Sequence, residues 1–296
     1  MKIHRHPTFI KKGAVLIGNY DGVHIGHQQL IFDAKKHSSH ITLVTFDPNP
    51  KDYFGQPFTY IQTMYDKLLA LKSFGVDQVI ILPFNHELSQ LSSDQFEKDI
   101  IAPLQPEVLV VGEDFRYGRK RAGDITSLQK RFNVHVPKDV MYEDTKVSST
   151  FCRQLLEDGN VDLANHLFGR PFHISGRVRH GQHLGRTLGY PTANLHAPHY
   201  PLSGIYAGHT ILPDQSCHLS AISIGYRPMA PVPHGMLEAH LLDYDGDLYG
   251  QRIHVLFFKK IRDQIKLENF DALKIQMDKD VENIRDFFKK PTIFSN

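Results

Sequence analysis

The stretch of sequence that decides the fold is Gly18-Asn19-Tyr20-Asp21-Gly22-Val23-His24-Ile25-Gly26-His27. It follows an apolar run, 14–17, that is typical of a buried strand, and it precedes a segment, 28–36, that predicts a helix. Two histidines, three glycines and an aspartate therefore lie on a strand-to-helix turn. In an open α/β sheet such a turn binds nucleotides, with phosphate next to the helix N-terminus. A chance turn in a chain with 19 histidines is the alternative interpretation.

The composition predicts an ordinary globular protein of the cytoplasm. The 296 residues are 41% hydrophobic and 22% charged, and 34 basic against 32 acidic side chains give a formal net charge of +2. This balance argues against a nucleic-acid-binding or membrane-binding surface. Cys152 and Cys217 fit neither a zinc pattern nor a disulfide framework, which indicates a reducing compartment. The sequence has no secretory h-region and no apolar run of membrane-spanning length.

The first half of the chain alternates strand and helix patterns. Near-continuous apolar runs predict buried strands at 41–46, 78–82 and 108–111, in addition to 14–17. Helical patterns separate them, among them one opened by Ser92-Ser93-Asp94-Gln95. This alternation predicts an α/β domain with a parallel, doubly wound, Rossmann-like sheet.

The second half has a different pattern. From about Phe172 onward, six or so short strand patterns follow one another with turn residues between them and no convincing helix, which predicts an antiparallel barrel or sandwich. An amphipathic helix then closes the chain, with apolar residues from Phe270 to Phe288 at spacings of three and four. We expect two domains, 1–168 and 169–296.

The residues themselves indicate phosphate chemistry in the first half. His24 and His27, three apart at a helix start, can face one ligand and donate hydrogen bonds to phosphate oxygens. Such a site suits nucleotidyl transfer, in which the protein holds the α-phosphate in line and neutralises charge on the leaving pyrophosphate. The hydroxyls of 148–150, with Arg153 one turn into a helix, would make a second phosphate cradle. An ordinary N-cap cluster is the alternative for these hydroxyls.

The opening stretch resembles the Gly-Asn-Phe-Asp-Gly-Val-His-x-Gly-His-Gln signature of a known module. This is the FAD synthetase module of the bacterial bifunctional riboflavin kinase/FMN adenylyltransferase family, within the HxGH nucleotidylyltransferases. Three later segments resemble family motifs in the same order: Thr45-Phe46-Asp47-Pro48-Asn49-Pro50, Val111-Gly112-Glu113-Asp114-Phe115-Arg116-Tyr117-Gly118 and Val147-Ser148-Ser149-Thr150-Phe151-Cys152-Arg153. Asn49 stands where histidine is usual, and Phe151 where arginine is common.

The second half resembles the riboflavin kinase module of the same family. Gly185-Arg186-Thr187-Leu188-Gly189-Tyr190-Pro191-Thr192-Ala193-Asn194 is similar to its Gly-Arg-x-Leu-Gly-Phe-Pro-Thr-Ala-Asn signature, and 237–242 to its Glu-x-His strand. The stretch 176–181 keeps the family's glycine-rich loop, for which a turn-rich hairpin is the alternative. Met229 and Gln264 depart from the family pattern near the flavin end of its site.

The resemblance implies a bifunctional enzyme of flavin cofactor biosynthesis. The C-terminal riboflavin kinase domain (169–296) would phosphorylate riboflavin to FMN with ATP, and the N-terminal FMN adenylyltransferase domain (1–168) would convert FMN and ATP to FAD and pyrophosphate. It implies that Glu238 is the general base of the kinase, for which a partnered structural glutamate is the alternative, and that His24 and His27 serve adenylyl transfer. It implies that Thr192 and Asn194 hold Mg²⁺.

The remaining site residues also come from the resemblance. The implied nucleotide-binding residues are Gly18, Asn19, Asp21, Gly26, Ser148, Ser149, Thr150, Arg153, Gly176, Gly181, Gly185 and Arg186. The implied flavin-binding residues are Phe46, Pro48, Asp114, Phe115 and Arg262.

The implied partners are riboflavin, FMN and ATP, without nucleic acid or membrane, for a monomer or weak homo-oligomer. Two alternatives remain. Either one domain alone is active and the other is a docking module, or the chain is a non-catalytic flavin-binding or regulatory protein.

Overall fold

The computed structural model describes residues 1–6, 12–181, 189–197, 200–226, 235–266 and 268–289. The chain forms two compact units, each made of two segments. The first unit comprises Met1–Phe58 and Lys67–Ser149, and the second comprises Thr59–Asp66 and Thr150–Asn296. The residues 150–168, which the sequence assigns to the first domain, thus lie in the second unit, together with an early segment, 59–66.

The first unit is built on a six-stranded sheet. Its strands are β1 (Lys2–His4), β2 (Ala14–Ile17), β3 (Ile41–Asp47), β4 (Gln78–Pro83), β5 (Val108–Val110) and β6 (Val134–His135). Their order is β1-β4-β3-β2-β5-β6, and every neighbouring pair is parallel. All four residues of β2 are buried, as expected for a central strand covered on both faces. The predicted parallel, doubly wound sheet is confirmed.

Helices and a small hairpin complete the first unit. The helices are α1 (Ile25–His37), α2 (Pro50–Tyr53), α3 (Met64–Ser73), α4 (His86–Gln90), α5 (Ser93–Phe96) and α6 (Ile125–Gln129), and the hairpin consists of β7 (Met141–Tyr142) and β8 (Thr145–Lys146). Ser92 and Gln95 form the expected capping box at the start of α5. After α5 the chain forms a π-helical turn at Glu97–Ile101. The first three residues of α3 belong to the second unit.

The sheet order places a functional edge beside β2. The chain leaves β2 to form α1 and then β3 on one side, whereas β5 lies on the other side. The strand order therefore reverses between β2 and β5, and open α/β sheets bind ligands at this point, beyond the carboxyl ends of the strands. The residues that follow these two strands, 18–24 and 112–118, meet at this edge.

The second unit is built on an antiparallel sheet. Its strands are β9 (Phe172–Arg177), β10 (Ala193–His196), β11 (Gly204–Ile211), β12 (Cys217–Tyr226), β13 (Gly235–Leu241) and β14 (Arg252–Arg262), in the order β10-β13-β12-β11-β14-β9. An antiparallel bridge joins the two ends of this sheet, since the Arg179 amide donates to the Asn194 carbonyl at 2.9 Å. The sheet thus closes almost completely, which confirms the predicted barrel.

Within the described part of the chain, the helices that accompany the barrel are α7 (Ser149–Glu157), α8 (Val161–Phe168) and α9 (Phe270–Lys289). The terminal helix α9 packs against β11, β12 and β14, where Ile284 is fully buried. This confirms the predicted amphipathic helix at the end of the chain. Among the residues described above, no helix is both long and apolar enough to cross a membrane.

Candidate functional site

Two stacked imidazoles lie at the start of α1. His24 caps this helix, and its Nδ1 accepts a hydrogen bond from the His27 amide at 3.4 Å. The two rings are 3.8 Å apart between centroids, with an interplanar angle of 20°, and the Tyr20 ring lies 4.6 Å from His27. The structure therefore brings together the two histidines that the sequence predicts to face one ligand, at the N-terminus of a helix, where the helix dipole favours an anion.

Ser149 fastens a second segment to this turn. Its Oγ donates to the Asp21 carbonyl at 2.8 Å and lies 3.4 Å from His24 Nε2. Gly26 permits this approach, because a Cβ there would lie 3.1 Å from His24 Nδ1 and 3.2 Å from the Val147 carbonyl oxygen. Four predicted nucleotide-binding residues thus form one cluster with the histidine pair: Asp21, Gly26, Ser148 and Ser149.

Lys67 lies beneath the turn, and sequence reasoning missed it. Its ammonium donates to the Asn19 carbonyl at 2.7 Å, and Thr45 Oγ1 donates to the same oxygen at 3.2 Å. Burial lowers the pKa of Lys67, an effect that the charges of Asp21 and Asp47 oppose. A buried cation therefore holds the main chain of the turn, and nothing in the local sequence pattern indicates where this side chain points.

A cleft of about 230 Å³, here called the histidine cleft, opens beside the two imidazoles. Its lining residues include Gly18, His24, His27, Asp114, Phe115, Lys138, Lys146 and Ser148. Lys146 forms ion pairs with Asp114 and Asp139. Burial lowers the pKa of Lys146, but the hydrogen bonds to the two carboxylates raise it more, so the net shift is upward. Lys138 and Lys146 therefore bring positive charge to this cleft, where Asp114 and Asp139 offset the charge of Lys146.

A larger pocket of about 550 Å³, here called the aromatic pocket, shares Gly18, Asp114 and Phe115 with the histidine cleft. The Phe84 ring is part of its lining, and the centroid of this ring lies 5.9 Å from that of Phe46 and 5.8 Å from that of Phe54. The predicted flavin-binding residues Phe46, Asp114 and Phe115 line this pocket, whereas Phe54 and Phe84 were not predicted. In the sequence, only the aromatic character of Phe54 and Phe84 indicates that they could bind a flat ligand.

Basic residues line the aromatic pocket on one side: Arg116, Arg119, Lys120 and Arg121. Lys120 and Arg121 have left-handed backbone conformations, with φ of 53° and 59°. Such conformations cost non-glycine residues free energy and are concentrated at binding sites. The pocket therefore combines flat apolar walls with a cationic rim, which suits an aromatic ligand that carries an anionic group.

Asn49, which follows the predicted flavin contact Pro48 and stands where the family usually has histidine, has a structural role of its own. Asn49 caps α2, since its Oδ1 accepts from the Lys51 amide at 3.0 Å, and its side chain is buried. The preceding Asp47–Pro48 peptide bond is cis. Asparagine is a favoured N-cap residue, so this position serves the backbone of α2.

Two predicted triphosphate contacts lie in the second unit. Thr150 is exposed in the first turn of α7, and Arg153 donates from Nε to the Thr59 carbonyl at 2.7 Å. Their contacts with a nucleotide stay predictions.

In the second unit, Glu238 lies in a row of polar residues across three strands. The register places Glu238 directly opposite Asn194 of β10 on one side and Ser223 of β12 on the other. Directly opposite residues of antiparallel strands point to the same face with Cβ atoms about 5 Å apart. Asn194 Nδ2 in turn donates to the Thr192 carbonyl at 3.1 Å. The structure therefore brings Thr192, Asn194 and Glu238 close together, and their roles in metal binding and catalysis stay predictions.

The predicted glycine-rich loop contacts this row. A Cβ on Gly181 would lie 2.6 Å from the Asn194 amide group, so only glycine permits this approach. Gly176 lies on β9 opposite Ile253. The predicted residues Gly185 and Arg186, and the departure at Met229, lie outside the described residues.

A smaller cavity of about 180 Å³ lies next to Thr192. Its other lining residues include Tyr244, Asp245, Gly246, Asp247 and Tyr249, which follow β13. Nearby, the Nδ1 atom of His240 lies 2.8 Å from the Pro191 carbonyl oxygen. Burial lowers the pKa of His240 and thus favours its neutral form, although the hydrogen bond to Pro191 opposes this.

The predicted flavin contact Arg262 makes an ion pair in the structure. Its Nε and NH2 donate to the two carboxylate oxygens of Asp280 on α9, with the NH2 bond at 2.6 Å. Gln264, a departure from the family pattern, donates from Nε2 to Ser223 Oγ at 3.1 Å. It therefore lies beside the polar row that contains Glu238.

Comparisons with known proteins agree with these two sites. The family model described as FAD synthetase matches residues 6–151, and the model described as Riboflavin kinase matches residues 168–288. Two proteins named bifunctional riboflavin kinase/FMN adenylyltransferase are similar to nearly the whole chain. The one from Haemophilus influenzae is 35% identical and aligns over 97% of both chains; that from Escherichia coli K12 is 36% identical over 97% of this chain and 96% of its own.

One solved structure is similar over almost the full length. It is a crystal structure from Streptococcus pneumoniae described as a macrolide-efflux protein, which is 28% identical, covers 96% of this chain and 98% of its own, and has a TM-score of 0.84. Its description names a different activity from that of the two enzymes above. The likeness supports the fold, and the two family models that match this chain support the flavin enzymes.

Proposed function

The chain belongs to the family of bifunctional riboflavin kinase/FMN adenylyltransferases, and from this premise we propose how its residues divide the work. It is a bifunctional transferase of flavin cofactor biosynthesis. One reaction transfers the γ-phosphoryl group of ATP to riboflavin and gives FMN and ADP. The other transfers the adenylyl group of a second ATP to FMN and gives FAD and pyrophosphate.

The stacked pair of His24 and His27 is the observation that carries the assignment of adenylyl transfer. In this reaction a phosphate oxygen of FMN attacks the α-phosphorus of ATP while pyrophosphate leaves on the opposite side. The protein must orient the reacting groups and balance the negative charge that develops. Imidazole N–H groups at a helix N-terminus, with the Ser149 hydroxyl beside them, suit this task.

The aromatic pocket is our proposed binding site for FMN. An isoalloxazine ring is flat and apolar, and the rings of Phe46, Phe84 and Phe115 offer faces and edges for stacking. The FMN phosphate would then extend towards Gly18, which the pocket shares with the histidine cleft. This arrangement would bring the attacking oxygen close to the adenylyl group.

For riboflavin phosphorylation we propose Glu238 as the general base. Its carboxylate would accept the proton of the ribityl 5′-hydroxyl as that oxygen attacks the γ-phosphorus of ATP. The hydroxyl of Thr192 and the amide oxygen of Asn194, next to Glu238 in the register, form an oxygen donor set, which fits a hard cation such as Mg²⁺. When bound there, Mg²⁺ would neutralise phosphate charge, and Gly181, packed against Asn194, would place the glycine-rich loop next to the nucleotide.

We also propose the domain bounds, the cellular location and the oligomeric state of the enzyme. The functional domains are 1–168 and 169–296, which is supported by family matches that end at 151 and begin at 168. The enzyme works in the cytoplasm as a monomer or weak homo-oligomer without nucleic acid. The near balance of 34 basic and 32 acidic residues supports this proposal, and neither of the two cysteines forms a disulfide.

The test of the proposed function is a flavin assay on the full-length protein. We expect riboflavin, ATP and Mg²⁺ to give FMN first and FAD later, as separated by chromatography, and FMN with ATP to give FAD directly. Removing Mg²⁺ with a chelator should stop phosphorylation. Failure to form either FMN or FAD would overturn the proposal.

A further inference from the structure

Outside both sites, three side chains with metal-binding atoms converge within the second unit. They are Asp66, His173 and His254, and their ligand atoms all lie within 4.8 Å of one another. The Asp66 carboxylate is completely buried, whereas the two histidines are half-buried. We propose that this cluster, here called the Asp66 cluster, is a binding site for a divalent transition metal of the zinc class.

The barrel register brings the two histidines together. His173 lies on β9 and His254 on the neighbouring antiparallel strand β14, where His254 is directly opposite Ser175. Because residues two apart on a strand point to the same face, His173 lies diagonally next to His254, and their ring centroids are 6.1 Å apart. Asp66 completes the cluster from the segment Thr59–Asp66.

Hydrogen bonds fix the carboxylate. Ser175 Oγ donates to Asp66 Oδ1 at 2.5 Å, and Thr63 Oγ1 donates to Oδ2 at 2.7 Å. Metal-binding carboxylates in proteins are characteristically oriented by such neighbours. The carboxylate can therefore bind a metal without first ordering its side chain.

His173 is placed to bind a cation together with the carboxylate. Its Nε2 lies 3.5 Å from Asp66 Oδ1, so this nitrogen and the carboxylate can ligate one ion. Its Nδ1 lies 3.5 Å from the Pro171 carbonyl oxygen. A carbonyl next to the second ring nitrogen is a common way of orienting a metal-binding imidazole.

The donor set and the surrounding charges select the kind of metal. Two imidazole nitrogens and one carboxylate suit Zn²⁺, Co²⁺ or Ni²⁺, whereas Mg²⁺ and Ca²⁺ prefer oxygen ligands. The guanidinium groups of Arg170 and Arg252 interact electrostatically with Asp66 and His254, respectively. This positive charge repels any cation, so electrostatic attraction alone does not hold a metal here. Coordinate bonds with the imidazole nitrogens must contribute to the binding. This favours Zn²⁺, Co²⁺ or Ni²⁺ over Mg²⁺ and Ca²⁺.

A metal in the Asp66 cluster would fasten an early segment of the chain to the barrel. Asp66 and Ser175 are 109 residues apart in sequence. A ligand that binds only the folded arrangement stabilises it by mass action. Bound metal should therefore raise the unfolding temperature of the protein.

The test uses the full-length protein, stripped with a chelator and then kept in excess Mg²⁺ so that sites for hard cations are filled. We expect titration with Zn²⁺ to fill one tight site per chain and to raise the unfolding temperature. Co²⁺ should give the visible absorption bands of a site with few ligands. The double variant His173→Gln/His254→Gln should lose the tight site. A matched variant with two exposed histidines replaced, His37→Gln/His86→Gln, should keep it.

Equal Zn²⁺ binding by the wild type and the His173/His254 variant would overturn the proposal, as would a wild type without a tight site. The cluster would then be a hydrogen-bonded group of two imidazoles and a carboxylate only. If the double variant does not fold, Ser175→Ala provides the second test. It should weaken Zn²⁺ binding by about 10-fold or more, because it removes a hydrogen bond to the metal-binding carboxylate. Unchanged affinity in a folded Ser175→Ala protein would also contradict the proposal.

Discussion

The ammonium of Lys67 lies 2.7 Å from the main-chain carbonyl of Asn19, at the base of the turn that carries His24 and His27. This contact joins residues 48 apart in sequence, and the Lys67 side chain that makes it is buried. A cation beneath the turn positions the main chain from which the two imidazoles extend.

Replacing Lys67 with methionine should therefore impair FAD formation specifically. The apolar chain fills similar space but leaves the Asn19 carbonyl and the charge of Asp21 without the ammonium. We expect adenylyl transfer to fall by about 100-fold, since a shift of about 1 Å in a reacting group has this effect. FMN formation from riboflavin should be unchanged. Lys72→Met, at an exposed position of the same helix, should retain both activities.

His27→Ala should abolish FAD formation and leave FMN formation largely intact. The imidazole would otherwise donate to phosphate oxygens in the transition state, and loss of one such donor lowers turnover by about 100-fold or more. Separate rates for the riboflavin and FMN reactions provide the measurement. Loss of both activities in a folded variant would mean that the two sites are coupled or wrongly assigned.

Glu238→Gln should impair FMN formation and leave FAD formation intact, the reverse of the effect expected for His27→Ala. The amide keeps the shape of the side chain but cannot accept the proton of the ribityl hydroxyl, so FMN formation should fall by about 10²- to 10⁴-fold. Adenylylation of supplied FMN should continue at the wild-type rate. Glu282→Gln, at an exposed position on α9, serves as the control and should phosphorylate riboflavin normally.

The ion pair between Arg262 and Asp280 should stabilise the second unit. Asp280 is 4% exposed, and its carboxylate also accepts from Gln276 Nε2 at 2.9 Å. Asp280→Ala leaves the guanidinium without its partner, and breaking a buried pair in this way costs about 3–5 kcal/mol. The free energy of unfolding in urea measures the effect. Asp286→Ala removes the exposed pair with Lys289 and should change it by no more than about 0.5 kcal/mol.

The stability of the protein should fall in mild acid because of His209. Burial between Phe258 and Phe288 lowers its pKa below the ordinary value of 6.5. The unfolded chain therefore binds a proton at a higher pH than the folded chain does. The stabilising effect of the neutral ring is present above pH 6.5 and is lost as the pH falls towards the lower pKa of the folded state.

His209→Gln should make unfolding free energy less dependent on pH below 6.5. One histidine changes the slope by at most about 1.4 kcal/mol per pH unit. His240 and His254 also have lowered pKa values, so part of the acid sensitivity should remain in the variant. An identical slope in the variant and the wild type would show that His209 protonates equally well in both states.

The parallel sheet and the histidine turn could be predicted because their signals are local. The apolar strand 14–17 and the motif after it lie within a few residues of each other, and the stacking of His24 on His27 follows from their spacing on one helix start. The polar row around Glu238 could also be predicted from the sequence, because the motifs that contain Thr192, Asn194 and Glu238 lie on strands that pair.

The positions of Lys67, Phe54 and Phe84 could not be predicted in the same way. Each of them reaches its site through packing between elements distant in sequence, which no periodic pattern records. The same is true of Arg262, whose partner on α9 decides its contacts. The boundary between the units was placed after α8 because the change of pattern occurs there, whereas packing joins α8 to the barrel through a hydrogen bond from Asn165 Nδ2 to the Phe257 carbonyl.

The assignment of Thr59–Asp66 to the second unit has a practical consequence for recombinant fragments. A fragment that begins at residue 169 contains all the strands of the barrel but lacks Asp66, so Ser175 loses its hydrogen-bond acceptor. We expect such a fragment to be less soluble than the intact chain, since it exposes surface that the early segment covers. Kinase activity of the isolated half would therefore understate that of the whole protein. Point variants of the intact chain separate the two activities more faithfully than dissection does.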